Sequence, residues 1–238
     1  MEGIGGNRLT WAHVPAQVRT AIEDGLGSAV VREVSCPGGF SPGLASKLEL
    51  ADGRRVFAKA VGTSANPHSP TMHRREAEVS AVVPGPRLLW SYDDGDWVAL
   101  VFEEIAGRGP ALPWVAHEWE RVHAAVVELG SIEAPDGFRS IGADPGAFSG
   151  WRSLAAEPLP GIDPWALERL DELAAWESEW AAAAAGRSLV HGDLRADNVL
   201  LTSSDVVFVD WPQAGWGSGF GWTGVGLCLR TGDLEGMV

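Results

Sequence analysis

The chain has 238 residues, 45 % of them hydrophobic, with a near-zero mean hydropathy and a formal net charge of −14. That size suits one large domain or two small lobes around a cleft. The lack of any basic stripe or run argues against a nucleic-acid partner; an acidic surface would favour a cationic substrate, or serve solubility alone. The two cysteines, Cys36 and Cys228, form no Cys-x-x-Cys pair and define neither a zinc site nor a disulfide framework, which fits a reducing cytoplasm. The N-terminus lacks the apolar region of a signal peptide and no run is long or apolar enough to span a bilayer. The expectation is a cytoplasmic protein with no membrane partner.

In chain order, the first predicted element is a helix from Thr10 to Gly25. Thr10 caps it, Val14, Val18, Ala21 and Ile22 recur at helical spacing, and Gly25 or Gly27 stops it. Alternating or β-branched runs follow at Ala29–Val34, Leu44–Leu50 and Arg55–Val61. The first two are joined by a Gly/Pro-rich loop through Gly39 and Phe40, the last two by Ala51-Asp52-Gly53. This is the pattern of an antiparallel meander. A short helix is predicted over Met72–Val83, then strands around Arg87–Tyr92 and Trp97–Glu103 flanking Asp93-Asp94-Gly95. Five strands and one inserted helix make a small lobe, and Ile105–Pro110 reads as the hinge leaving it.

From Trp114 the pattern becomes helical, with long Ala-rich segments at Trp114–Leu129 and Pro164–Ala185 and a weaker one at Pro145–Ala156. The Ala181–Ala185 run suits a helix. Twelve tryptophans are many for this length; Trp119, Trp176 and Trp180 fall within helical segments and read as core, while Trp114, Trp151 and Trp211 lie nearer loops, where core packing is the better reading and lining a substrate pocket the alternative. Trp211–Val238 holds eight glycines and suits neither a long helix nor a packed strand.

One stretch carries chemistry. In Leu189–Leu201, the segment His191-Gly-Asp193-Leu-x-x-x-Asn198 sits between two apolar runs, and a further run, Val206–Val209, ends on Asp210. Phosphoryl transfer needs a carboxylate to orient and deprotonate an acceptor hydroxyl, and ligands for the Mg²⁺ that neutralises the phosphates. Asp193 suits the first role; Asn198 and Asp210 suit the second. His191 has no second His at ligand spacing, which favours a structural role. Lys59, in the middle of the apolar strand Val56–Val61, must either snorkel or meet an anion.

This loop, followed by Asp210-Trp211, resembles the aminoglycoside phosphotransferase family of kinase-like enzymes. Protein kinases usually carry Arg at the position of Gly192 and Asp-Phe-Gly where this chain has Asp210-Trp211-Pro212. The resemblance extends over roughly Thr10 to Ala214. It implies an α+β, bilobal protein-kinase-like fold: a small antiparallel-sheet lobe over residues 1–104 that binds the nucleotide, and a mainly helical catalytic lobe over 105–238. It also implies ATP and Mg²⁺ as cofactors and a small-molecule hydroxyl as acceptor, on an aminoglycoside-like antibiotic, a sugar or an amino-alcohol.

Carried onto this sequence, the resemblance assigns Lys59 to the α- and β-phosphates and Glu76, with Glu78 as the alternative, to the helix carboxylate that holds Lys59. Gly39 and Phe40 belong to the loop over the phosphates, while backbone groups of Glu103 and Ile105 meet the adenine. Arg195, two residues after the proposed base, either stabilises developing charge on the transferred phosphoryl group or is a solvated surface residue. Asp197 has no assigned role. The family pattern places a second Asp near Phe220–Thr223, where none occurs, so the catalytic lobe is expected to be shortened at its C-terminal end. That supports a second reading, a non-catalytic nucleotide-binding remnant. A third, a metal-dependent hydrolase using His191 and Asp193, lacks ligands.

Overall fold

The computed structural model describes residues 8–36, 42–143 and 148–219. They form two compact units, one within 8–119 and 193–213, the other within 120–192 and 214–219.

The first unit is built on a six-stranded sheet. Its strands are β1 (Arg8–Leu9), β2 (Val30–Ser35), β3 (Gly43–Leu50), β4 (Arg55–Gly62), β5 (Leu88–Asp93) and β6 (Trp97–Glu103), in the order β1-β3-β4-β6-β5 with β2 also on β3. All pairings are antiparallel except β1 with β3. Period-two alternation decides the two faces. Leu44, Leu48, Leu50, Val56, Ala58, Ala60, Ala99 and Val101 share one face with Val14, Val18, Ile22 and Leu26, the last three from helix α1 (Ala16–Leu26). The opposite face carries Val98, Leu100 and Phe102, packed with Phe57, Leu88 and Ala77 of helix α2 (Ser69–Val79). β6 is therefore covered on both sides, which is why it reads as a continuous apolar run.

Three sequence expectations change here. The single helix from Thr10 is instead a 3-10 turn, Trp11–His13, followed by α1. Pro15 is the N-cap of α1, and a proline pushes the preceding residue out of helical geometry, so Val14 is extended and the two pieces stay separate. The Thr10 hydroxyl meets His13 Nδ1 at 2.7 Å instead of capping α1. A sixth strand, β1, precedes them, and α2 begins and ends earlier than its predicted Met72–Val83. The expected hinge also has a ladder of its own: Arg108 exchanges both backbone hydrogen bonds with Leu201 (3.1 and 2.7 Å).

In the second unit, helix α3 (Ala116–Leu129) enters from the first, and α4 (Gly150–Ala156) follows. The predicted helix Pro164–Ala185 is three short ones, α5 (Pro164–Leu167), α6 (Leu170–Ser178) and α7 (Trp180–Ala183). The first break falls at Arg169, whose φ of −119° leaves the helical region. At the far end the Ala184 carbonyl accepts from Ser218 N at 2.8 Å, so the alanine run is claimed by a neighbouring segment. Trp176, expected in the core, is 63 % exposed.

A two-stranded ladder joins β7 (Ser188–Val190) to a strand from the glycine-rich tail, Gly215–Gly217. A side chain at Gly186 would lie 2.4 Å from the Gly217 carbonyl, so the glycines that argued against a strand are what allow this close pairing. The first unit is completed by a hairpin of β8 (Val199–Leu201) and β9 (Val206–Phe208), entered through a 3-10 turn at Ala196–Asn198; in chain order Gly215–Gly217 is then β10. Expectations for Gly39, Phe40 and the stretch 220–238, including the shortened C-terminal end, lie outside the described residues. Among the described residues no helix is long and apolar enough to cross a membrane.

Candidate active site

Every proposed site residue that the structure describes lies in the first unit. Lys59 occupies the sheet face opposite the α1 core, because Ala58 and Ala60 on either side point into that core. Its ammonium meets Glu76 Oε1 at 2.8 Å, Glu76 Oε2 at 2.9 Å and Asp210 Oδ1 at 2.9 Å. Glu76, not the exposed Glu78, is the helix partner, since it shares the buried face of α2 with His73 and Val79. The Trp211 backbone N–H also bonds the Glu76 carboxylate, and the Trp211 indole, 2 % exposed, donates to the Phe208 carbonyl at 2.9 Å. Trp211 thus packs as core and holds the segment that carries Asp210.

Asp210 has a φ of +70°, the one non-glycine in the left-handed region among the described residues. Such a conformation costs on the order of 1–3 kcal/mol and persists where the surroundings over-determine it, as functional sites commonly do.

Burial alone would push the Lys59 ammonium down, but Asp210 and Glu76 beside it carry it well above the ordinary lysine range. Burial also raises Glu76, against the opposing pull of Lys59. One cation between two carboxylates cannot fully relieve both. His73, one turn before Glu76, is pushed down to about 4 by burial and by the Lys59 charge, so it stays neutral at ordinary pH.

The loop from Asp193 is tied together locally. Asn198, buried, donates through Nδ2 to the Asp193 carbonyl at 2.8 Å and lies 3.4 Å from Asp193 Oδ2. Its backbone carbonyl accepts from Val209 N at 3.0 Å, which links the loop to the residue before Asp210. Arg195 grips Asp197 with two bonds, 3.0 and 3.1 Å, and stands 3.5 Å from Asp193. Asp197, without a role in the sequence reading, is the partner that holds Arg195. Partial burial raises Asp193, with Arg195 pulling the other way.

Lys59, Glu76, Asp197, Asn198 and Asp210 open onto a cavity of about 400 Å³. Phe57, Phe102, Glu103 and Ile105 line it together with Lys59, Glu76, Asn198 and Asp210, and the Lys59 ammonium lies 5.8 Å from the centroid of the Phe102 ring. The Glu103 carboxylate accepts from Arg87 N at 2.8 Å, and Glu104 meets Lys47 at 3.0 Å and Arg55 at 2.8 Å. These glutamates brace the segment. Asp193 and Arg195 do not line the cavity wall, and Gly39 and Phe40 are not described. Sequence reasoning missed Arg8, Cys36 and His73, which do line it.

Residues 45–218 match the sequence model of the phosphotransferase enzyme family, APH. The chain belongs to this family. It is therefore a small-molecule phosphotransferase of the kinase-like type, with a mixed α+β fold. A candidate fructosamine-3-kinase from Haemophilus somnus superposes with a TM-score of 0.55 at 13 % identity, covering 85 % of this chain and 73 % of the other. LicA, solved in complex with AMP, gives 0.54 at 13 % identity over 87 % and 71 %. Aminoglycoside phosphotransferase APH(3'')-Id from Streptomyces rimosus gives 0.51 at 25 % identity over 84 % and 77 %. A search of curated protein sequences returns no match.

Asn198 and Asp210 offer the phosphotransferase hard oxygen donors on the wall of one cavity, the donor type that suits Mg²⁺. The Asp210 side chain is 43 % exposed. The residues present therefore fit a divalent cation.

Proposed function

We propose that this phosphotransferase moves the γ-phosphoryl group of ATP, with Mg²⁺, onto a hydroxyl of a small molecule. The observation that carries the reading is the single network at Lys59: a buried cation held by Glu76 and Asp210 on the wall of a nucleotide-sized cavity, with Asn198 alongside. In this reading residues 1–104 supply nucleotide-binding groups and residues 105–238 supply the catalytic loop.

Lys59 meets the α- and β-phosphates, and Glu76 holds its ammonium in place. Backbone groups between Glu103 and Ile105 meet the adenine. Asn198 and Asp210 hold Mg²⁺, which supplies charge neutralisation to the phosphates when bound. Asp193 orients the acceptor hydroxyl. As the hydroxyl oxygen bonds to the γ-phosphorus, the bond from that phosphorus to the β,γ-bridging oxygen breaks, ADP leaves, and the hydroxyl proton passes to the Asp193 carboxylate. Arg195 offsets charge near that carboxylate.

The acceptor is a small hydroxyl compound, an aminoglycoside-like antibiotic, a sugar or an amino-alcohol, and the net charge of −14 favours those that bear positive charge. Aminoglycoside-like antibiotics, amino sugars and amino-alcohols meet that description. The test is calorimetric titration of monodisperse protein with ATP and Mg²⁺ beside Asp210→Ala. Metal-dependent binding that disappears in the variant supports the reading and leads to an acceptor screen. A well-folded wild type that binds no nucleotide would overturn it.

A further inference from the structure

The cavity holds a cation that the sequence pattern did not suggest. Arg8 and Leu9 form β1, paired in parallel with Gly43 and Leu44 at the end of β3. Successive side chains of a strand point to opposite faces. Leu9 packs into the α1 core beside Leu44, so Arg8 is sent to the other face, the one with Lys47 and Lys59, where it lines the cavity.

The segment that carries Arg8 is anchored. Leu9 and Trp11 both pack against the core, and Trp11 N donates to Glu33 Oε2 at 2.8 Å. The other oxygen of Glu33 accepts from the Ser46 hydroxyl at 2.7 Å, which ties the segment to both β2 and β3. Arg8 is thus held by a sheet, a core and a buried-side carboxylate bond.

Its position matches a need. Five carboxylates line the cavity (Glu76, Glu103, Glu104, Asp197 and Asp210) against three cations. Lys47 meets Glu104, Lys59 meets Glu76 and Asp210, and Arg8 itself interacts electrostatically with Asp210. A polyanion entering here meets net negative charge. Arg8 lies close enough to Asp210 and Cys36 to interact with both electrostatically, which puts it near the Lys59–Asp210 pair. β1 and β4 are two strand spacings apart, roughly 10 Å, so guanidinium and ammonium address one extended ligand from different positions.

We infer that Arg8 is a second phosphate-binding residue of this cavity, which contacts the outer phosphates of a nucleoside triphosphate and makes the site sensitive to phosphate number. The inference rests on the nucleotide reading given above. A planar guanidinium suits phosphate oxygens through paired, charge-assisted hydrogen bonds.

The test titrates the full chain with ATP and separately with AMP, each with Mg²⁺, in wild type, Arg8→Gln and Arg8→Lys. Arg8→Gln is expected to weaken ATP roughly tenfold or more while AMP stays within about twofold, and Arg8→Lys to recover most of the loss. AMP serves as the control for an intact cavity. Equal losses for both nucleotides would make β1 a purely structural strap and overturn the inference. So would unchanged ATP binding, or tighter ATP binding of the kind expected if the guanidinium obstructs the site. A wild type that binds neither nucleotide would instead overturn the nucleotide reading on which the inference depends.

Discussion

Lys59 and Asp210 are 151 positions apart in the chain and 2.9 Å apart in the structure, and Glu76 closes the same network from α2. The three cannot be altered independently. Lys59→Met leaves Glu76 buried beside Asp210 without its cation, whereas Glu76→Gln keeps a neutral partner for the ammonium. The pair is expected to show a coupling energy of about 0.5–3 kcal/mol in a double-mutant cycle of unfolding free energies. Nucleotide binding should fall in both single variants. Additive stabilities with unchanged ATP affinity would show that the contact is incidental to both folding and binding.

His73 gives the stability a pH signature. Its value in the folded chain, about 4, lies below the ordinary 6.5. Between those limits the unfolded chain binds more protons at this site, so the contribution of neutral, buried His73 is full above about pH 6.5, declines as pH falls, and is lost below about pH 4. The shift corresponds to about 3 kcal/mol. The charged groups that act on the ring are Lys59 from β4, Arg8 from β1 and Asp210 after β9. His73→Gln should flatten the difference between unfolding free energies measured at the two ends of this window. An unaltered profile in that variant would place the acid sensitivity elsewhere.

The residues that could be read from the sequence are those whose chemistry conflicts with their local pattern. Lys59 interrupts an apolar strand, and Asp193, Asn198 and Asp210 stand at fixed spacings around short apolar runs, so they attract notice without a structure. Glu76 was legible by helical periodicity, because its neighbours three and seven positions on are Val79 and Val83. Arg8 was not, since a two-residue strand has no measurable period. The β10 strand was hidden because the glycines that permit its close approach to Gly186 are the residues that argue against strand. The helix read through 164–185 failed for a related reason: alanine propensity carries no information about the tertiary partners that claim the Ala184 carbonyl.

Gly25 tests the packing of α1. In a helix interior, Gly→Ala gains up to about 1 kcal/mol from propensity. Here the new Cβ would lie 2.1 Å from the Trp90 indole nitrogen, and that indole stacks on Tyr92 at 6.1 Å and 12°. Overpacking against a ring held in this way costs roughly 1–3 kcal/mol, so the clash should win and Gly25→Ala should lower the unfolding midpoint in urea. Gly109→Ala is the comparison, because open space surrounds that position; it should stay within about 0.5 kcal/mol of wild type. Equal behaviour of the two variants would mean that the Trp90 ring yields freely.

Asp193 can be removed without dismantling its loop, because Asn198 bonds the Asp193 backbone carbonyl at 2.8 Å and does not depend on the carboxylate for that contact. Asp193→Asn should therefore retain nucleotide binding within about twofold and lower phosphoryl transfer by roughly 10²–10⁴, the range for loss of a positioned proton acceptor. Arg195 acts on the same carboxylate, which burial raises and the Arg195 charge lowers. Arg195→Gln removes the lowering influence, so the acid limb of the pH–rate profile should move to higher pH while the plateau rate falls less than in Asp193→Asn. Both are read from steady-state transfer assays across pH, with calorimetry to confirm nucleotide binding. Wild-type turnover in Asp193→Asn would remove that residue from the chemistry. An acid limb that stays in place in Arg195→Gln would separate the arginine from it.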